Sequence, residues 1–179
     1  AMEELDSAMV DFKDGDILLI LDLHPASAIS KKEYYRDLML HGVKVLFVVY
    51  DLIPVTLPKT YFADGLCEEF ERWLKVVSVS DGVICISQDV SNKFAEWTEK
   101  ENLKISPFFY NSYFYLGSDI KNSVPSKGLP EDAMATLKNI SNKISILMVS
   151  TIEPRKQHEV VVEAMEQLWQ KGMDINLVI

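Results

Sequence analysis

The chain has 179 residues, 48% of them hydrophobic and 25% charged, a balance that suits a globular protein with one sizeable core or two partial ones. Its formal net charge is -9, with no long run of one sign. That excludes wholesale binding to a nucleic-acid backbone, which needs a basic footprint, but leaves room for a local basic site.

Ala1-Met2 ahead of an acidic stretch reads as a cloning remnant, which places the natural amino terminus upstream; no signal peptide is visible there. The first element is Ile17 to Leu21, a continuous apolar run between Gly15-Asp16 and Asp22. Such a run predicts a strand buried on both faces, the mark of a parallel sheet. A helix is predicted from Lys31 to His41, capped by Ser30, with Tyr34, Tyr35, Leu38 and Met39 on one face and Gly42 as its stop. Val43 to Tyr50 (VKVLFVVY) is the strongest strand signal; it is too short and too β-branched for a membrane span. Asp51 to Pro58 (DLIPVTLP) carries two prolines and reads as a loop.

An amphipathic helix follows through Leu66, Phe70, Trp73, Leu74 and Val77. Gly82 to Ile86 is the next strand, and Ser87 ends it and caps a helix over Asp89 to Lys100 with Val90, Phe94 and Trp97 inward. Ile105 to Leu116 reads as a fourth, aromatic-rich strand. Its Tyr110, Tyr113, Phe114 and Tyr115 suit either a partner surface or a buried strand, and burial is the preferred reading. Gly117 to Lys143 is polar, with Pro125, Gly128 and Pro130, and reads as a linker holding a short helix around Asp132 to Lys138. The alternation then restarts. Ile144 to Ser150 is a buried strand, Gln157 to Lys171 a helix with Val160, Val161, Ala164, Leu168 and Trp169 on one face and Gly172 at its end, and Ile175 to Ile179 a last strand. The fold class is therefore α/β, a parallel sheet flanked by helices. The expected domains are 1–117, a linker 118–143, and a second domain opening at 144–179. A single βαβ unit cannot cover both faces of a sheet. The second domain is expected to be incomplete, its strands packing on the first domain or pairing with another copy of the chain as a homodimer.

In α/β sheets of this kind ligands bind beyond the carboxyl ends of the strands. That rule picks out Asp22, His24, Asp51, Ser87 and Thr151 to Lys156. Asp22 serves equally well as a turn cap or a cleft residue, and His24 reads as an exposed histidine. Asp51 fits an Asx turn opening the proline loop. Ser87 is a cap that also offers helix N–H groups to a ligand. Thr151-Ile152-Glu153-Pro154-Arg155-Lys156 is more informative, since it joins a strand to a helix start whose free N–H groups carry partial positive charge. Arg155 and Lys156 beside that terminus oppose the dipole unless an anion arrives, which points to a diphosphate site. There is no GxGxxG, no Walker A and no Asp-x-Asp. Neither the three histidines (24, 41 and 158) nor the two cysteines (67 and 85) have metal-ligand spacing. The cysteines read as buried free thiols, and His41 as a dipole partner at a helix end.

The stretches VLFVVYDLIPVTLP, EEFERWL and DGVICIS, the Leu116-Gly117-Ser118-Asp119 turn, and ILMVSTIEPRKQHEVVVEAMEQLWQKGMDINLVI together resemble family 4 glycosyltransferases. Within that family they most resemble the bacterial mannosyltransferases that build O-antigen polysaccharide. The resemblance runs from about Gly15 to Ile179. The EPRK turn with the following helix is its most specific part, and YDLIP the next. It implies a GT-B architecture of two Rossmann-like domains, with the acceptor mainly on the first and the nucleotide sugar mainly on the second. It implies transfer of a hexose, mannose from GDP-mannose, with retention and without a metal or other cofactor. The acceptor would be a polysaccharide or a lipid-linked glycan. It further implies that Arg155 and Lys156 hold the donor diphosphate, that Tyr50 and Asp51 belong to the catalytic loop, and that Asp22, Ser87 and Glu153 line the cleft. The cytoplasm, at the inner face of the bacterial plasma membrane, is the implied location, with peripheral membrane association through a lipid-linked acceptor. Two departures stand out. Many members have a histidine where this chain has Tyr50. The Gly-rich stretch expected before Gly15 and the glutamate pair expected after Ile179 are missing, so the chain alone is expected to transfer no sugar.

Two other readings stay open. Asp22, Asp51 and Ser87 at strand ends are also the layout of a phospho-acceptor signalling domain, although no lysine at the end of a later strand is evident. A degenerate, non-catalytic glycosyltransferase-like module that scaffolds a polysaccharide complex is the other.

Overall fold

A computed structural model describes residues 10–117 and 129–179. The expectations for Ala1-Met2, for Ser118 and Asp119, and for the linker over 118–128 lie outside the described residues. The chain divides into two compact units, Ala1–Gly117 and Ser118–Ile179.

The first unit is built on four strands: β1 (Ile17–Ile20), β2 (Lys44–Val49), β3 (Gly82–Cys85) and β4 (Tyr110–Tyr113). All pairings are parallel and the spatial order is β1-β2-β3-β4. Between them run α1 (Pro25–Ser30) and α2 (Lys32–Leu40), then α3 (Ile53–Thr56) and α4 (Leu66–Val77), then α5 (Gln88–Lys100). This is the α/β parallel sheet flanked by helices that the alternating pattern predicts. Strand order follows chain order throughout, so these four strands contain no reversal of order, the usual seat of a ligand crevice in such sheets.

The core forms where the strand pattern is strongest. Val45, Phe47 and Val49 of β2 point one way and are fully buried against Trp73, Leu74 and Val77 of α4 and Phe94 of α5. Tyr35 of α2 meets Phe47 edge-on, with ring centroids 5.4 Å apart. Phe70 and Trp73 pack at 5.0 Å, and Phe94 stacks on Phe109 at 5.9 Å. Val48 is buried on the opposite face, so β2 is the strand covered on both sides. Both cysteines are free and buried, as expected. Burial pushes the Cys85 thiol up to about 11, which keeps it protonated and inert at neutral pH.

Several local expectations are corrected. β1 is an edge strand among the described residues, and Ile17 is 63% exposed rather than buried on both faces. A continuous apolar run does not distinguish an edge from a centre, because the number of partners is a tertiary property. The helix expected over Lys31 to His41 forms as α2, and it is preceded by a short helix that was not expected, α1. His24 caps it, its Nδ1 accepting from the Ser27 N–H at 3.3 Å. Ser30 is the last residue of α1 and caps nothing; its hydroxyl donates to the Ser27 carbonyl. Pro25 in the first turn is what a helix start tolerates, its missing N–H being an orphan donor there anyway. On α2, Tyr34 turns out to solvent while Tyr35 and Leu38 are buried. His41 closes α2 as expected, with Nδ1 2.8 Å from the Asp37 carbonyl. The proline loop contains a single helical turn, α3, and Leu66 of α4 is exposed. The fourth strand is four residues long, and Tyr110, Tyr113, Phe114 and Tyr115, in the strand and just after it, are exposed at the edge of the sheet among the described residues. Aromatic content favours a strand, but it does not say whether a neighbour covers it.

The second unit holds α6 (Ala133–Ser141), β5 (Ile144–Leu147), α7 (His158–Gln170) and β6 (Ile175–Val178), with β5 and β6 paired in parallel. Its small core is Met165 and Ile175. The Trp169 indole donates to the Ile175 carbonyl at 2.7 Å. β5 is exposed along its whole length, not buried. The inward face of α7 is also rotated from the expected one. His158, Val161, Met165 and Leu168 turn in, while Val160, Ala164 and Trp169 are exposed. The run of three valines, Val160 to Val162, wraps nearly the whole helix and leaves the stripe ambiguous to pattern reading.

Gly82 lies opposite Tyr110 in the β3–β4 register, and a Cβ there would sit 2.3 Å from the Tyr110 carbonyl oxygen. That contact is with backbone, so the two strands must separate. Gly82→Ala is expected to destabilise the first unit by about 1–3 kcal/mol, read as a lowered urea midpoint with an unchanged slope.

Candidate functional site

In the first unit the expected site residues stand where the strands end. Asp22 follows β1, Tyr50 and Asp51 follow β2, and Ser87 follows β3. Parallel pairing puts these ends on one edge of the sheet, since Val49 pairs with Cys85 and the Ile86 N–H donates to the Val49 carbonyl at 3.2 Å. Each residue has a local bond of its own. The Tyr50 phenol donates to the Leu21 carbonyl at 2.9 Å, bracing the end of β2 against the end of β1. Asp51 Oδ1 accepts from the Ile53 N–H at 3.0 Å, an Asx turn that starts α3. Ser87 caps α5 by accepting from the Val90 N–H at 3.3 Å. Asp22 and His24 are exposed on the wall of a cavity of about 460 Å³ between β1 and the helices that follow it. The sheet thus brings these strand ends to one edge, and no hydrogen bond joins Asp22, Asp51 and Ser87 to one another among the described residues.

In the second unit the β5–α7 connection carries the charged groups. Pro154–Lys156 form one 3-10 turn, and Gln157 follows in the left-handed region with φ 58° before α7 begins at His158. The Glu153 carboxylate accepts from the Thr151 hydroxyl, and from the Arg155 Nε at 2.7 Å. These two hydrogen bonds, Thr151's first, hold the Glu153 carboxyl below the usual glutamate range. Arg155 engages Glu153 through Nε alone, which leaves the outer guanidinium donors for a ligand. Lys156 has no ion pair among the described residues. Arg155 and Lys156 are both half-buried, and the Arg155 side chain is 27% exposed. The basic pair stands just before Gln157, the N-cap of α7, so it lies beside that helix start, and Glu153 compensates part of its charge.

A cavity of about 360 Å³ opens beside this turn, lined by Ile152, Glu153, Pro154, Gln157, His158 and the residues after it. His158 is nearly buried within it, at 9% exposure. Its Nε2 lies 3.3 Å from the Ser150 hydroxyl, and its Nδ1 is buried with no hydrogen-bond partner among the described residues. Sequence spacing had no means of finding this contact, because it joins residues on either side of an irregular loop. No group of three or more His, Cys, Asp or Glu side chains is placed to hold a metal ion among the described residues. No helix there is long and apolar enough to cross a membrane.

Comparison with known proteins agrees with the resemblance to bacterial mannosyltransferases. The chain is 33% identical over 171 residues to the serotype-specific mannosyltransferase WbdA of Escherichia coli, covering 94% of this chain and 21% of that protein. A second WbdA sequence from the same species is 35% identical over 172 residues, with the same coverage. The chain therefore spans about a fifth of the length of the curated relatives it matches. No family model matches the chain, and no solved structure matches it.

The bonds to Glu153 set a sign for pH dependence. A carboxyl held below its ordinary range stabilises the folded turn above that range, and the contribution is lost as pH falls through the lowered value. Thr151→Val and Arg155→Ala are each expected to return the Glu153 titration toward the ordinary range, read by carboxyl-carbon NMR between pH 2 and 6, a range chosen to bracket ordinary glutamate titration.

Proposed function

We propose that the chain is part of a GT-B glycosyltransferase of family 4, which transfers a hexose with retention from a nucleotide sugar to a polysaccharide or lipid-linked acceptor. The carrying observation is the half-buried Arg155–Lys156 turn between a parallel strand and its crossover helix. It lies in a chain 33–35% identical over 94% of its length to proteins named mannosyltransferase. Mannose is accordingly the sugar proposed and GDP-mannose the donor.

In this reading Ile17 to Leu116 belongs to the acceptor domain and Ile144 to Ile179 opens the donor domain. Cleavage of the sugar–phosphate bond places negative charge on the departing diphosphate. The outer donors of Arg155 and the Lys156 ammonium stabilise that charge without proton transfer and without a metal. Glu153 keeps the guanidinium in one orientation, a fixed fork suited to two phosphate oxygens. Asp51 faces the acceptor side from a rigid Asx turn, and Tyr50 fixes that turn through Leu21. Asp22 and Ser87 line the same edge. Nucleotide sugars and lipid-linked acceptors meet at the inner face of the bacterial plasma membrane, so the protein acts there as a peripheral enzyme. The exposed β5 is covered by further donor-domain strands in the complete enzyme, or by a second copy in the isolated chain, which transfers no sugar by itself.

Nucleotide release from a panel of sugar donors tests the reading, with the complete reading frame and the 179-residue chain side by side. The complete protein is expected to release GDP from GDP-mannose and the chain to release none. No release from any donor, with lipid-linked and polysaccharide acceptors present, would leave a non-catalytic binding module. In the complete protein, the double variant Arg155→Ala/Lys156→Ala is expected to lose about 100-fold or more in kcat with its melting temperature nearly unchanged; normal turnover sinks the diphosphate assignment. Asp51→Ala is expected to lower activity more than stability. A large fall in melting temperature with activity retained makes Asp51 a turn residue only.

A further inference from the structure

The loop Thr151–Gln157 is bonded almost wholly to itself. The Lys156 N–H donates to the Glu153 carbonyl at 2.9 Å, the Gln157 N–H to the Pro154 carbonyl at 3.2 Å, and the Gln157 side-chain amide to the same Pro154 carbonyl at 2.7 Å. Thr151 and Arg155 close on Glu153. These bonds fix the shape of the loop but not its attitude to the elements on either side. Its base is crossed by one side-chain hydrogen bond among the described residues, between Ser150 Oγ and His158 Nε2 at 3.3 Å. Ser150 immediately precedes the loop and His158 is the first residue of α7.

His158 is also an expensive choice for simple packing. It is more than nine-tenths buried, and its Nδ1 has no partner among the described residues. An unpaired buried polar atom carries a desolvation penalty that an apolar side chain of similar shape would avoid, so such a group calls for another account. The ring nitrogen that does have a partner supplies one.

We propose that His158 is a positioning residue: with Ser150 it clasps the two ends of the Thr151–Gln157 loop and so holds Arg155 and Lys156 in place. Both tautomers close the clasp. Either the Ser150 hydroxyl donates to Nε2, or Nε2–H donates to the hydroxyl. That the loop then meets a diphosphate rests on the function proposed above.

Amide isosteres separate the two ring nitrogens. A glutamine amide reaches roughly the place of Nε2 and an asparagine amide that of Nδ1. In the complete protein, hydrogen exchange of the Thr151–Gln157 amides is measured beside calorimetric affinity for GDP, in Ser150→Ala, His158→Phe, His158→Gln and His158→Asn. Loop exchange is expected to accelerate in Ser150→Ala, His158→Phe and His158→Asn and to stay slow in His158→Gln. Affinity for GDP is expected to fall about tenfold or more in the same three variants, as a displaced ligand-holding group costs. His158→Phe keeps the site filled, so a melting temperature close to wild type with fast loop exchange separates the clasp from misfolding. Unchanged exchange in Ser150→Ala and His158→Phe overturns the proposal. Recovery by asparagine but not glutamine also overturns it, as does fast exchange with unaltered GDP affinity. If the wild type binds no GDP, the diphosphate reading fails by itself and the exchange data decide the clasp. Protection lost in the three variants and kept in His158→Gln upholds it, and protection kept throughout overturns it.

Discussion

Parallel pairing of β2 on both sides is the constraint from which the first unit follows. A central strand must have its N–H and C=O groups taken by two neighbours and both faces covered, because an unpaired buried backbone group costs as much as a lost hydrogen bond. Val45, Phe47 and Val49 fill one face with side chains that α2, α4 and α5 enclose. Parallel neighbours require crossovers, and the crossovers are those helices. The strand ends that carry Tyr50, Asp51 and Ser87 then fall on one edge as a consequence of register, with Val49 level with Cys85. The candidate residues need no extra device to meet there, since the sheet delivers them.

The second unit solves a different problem with the same grammar. A βαβ unit places a connection between a strand end and a helix start, and here that connection is a compact basic turn. Two cations on adjacent residues would repel one another and disperse into solvent. Glu153, itself held by Thr151, takes the Arg155 Nε and keeps the guanidinium half-buried. An acidic chain thereby carries a local positive site with a defined orientation. Preorganised charge of this kind stabilises a developing anion without reorganisation at the moment of reaction.

Much of this was legible from residue order. The alternation of apolar runs with helical stripes predicted every strand. Ser87 was legible as a cap because a hydroxyl between a strand and an amphipathic stripe has few other uses, and Asp51 as an Asx turn because it precedes a proline loop. The basic turn was legible from its place between a strand and a helix. Exposure was not. Ile17 and Ile144 look as buried in sequence as Val45 does, and the exposed aromatics of β4 look like a core strand. An apolar residue reports that it can be covered, and only its neighbours determine whether it is. Helix α1 was missed for a related reason. His24 is an unusual cap, and its role depends on the ring meeting the Ser27 N–H.

The sequence by itself determined the order of the strands and of the longer helices, the parallel class, the β2 core and the position of the basic turn. These follow from local periodicity and from short-range chemistry along the chain. The tertiary structure alone decided which strands are edges, which face of α7 turns inward, how Arg155 is oriented by Glu153, and that His158 meets Ser150 across the base of the loop. Each of these is a contact whose geometry depends on where two separate backbone segments come to rest. No residue pattern encodes that until the sheet and its crossovers are in place.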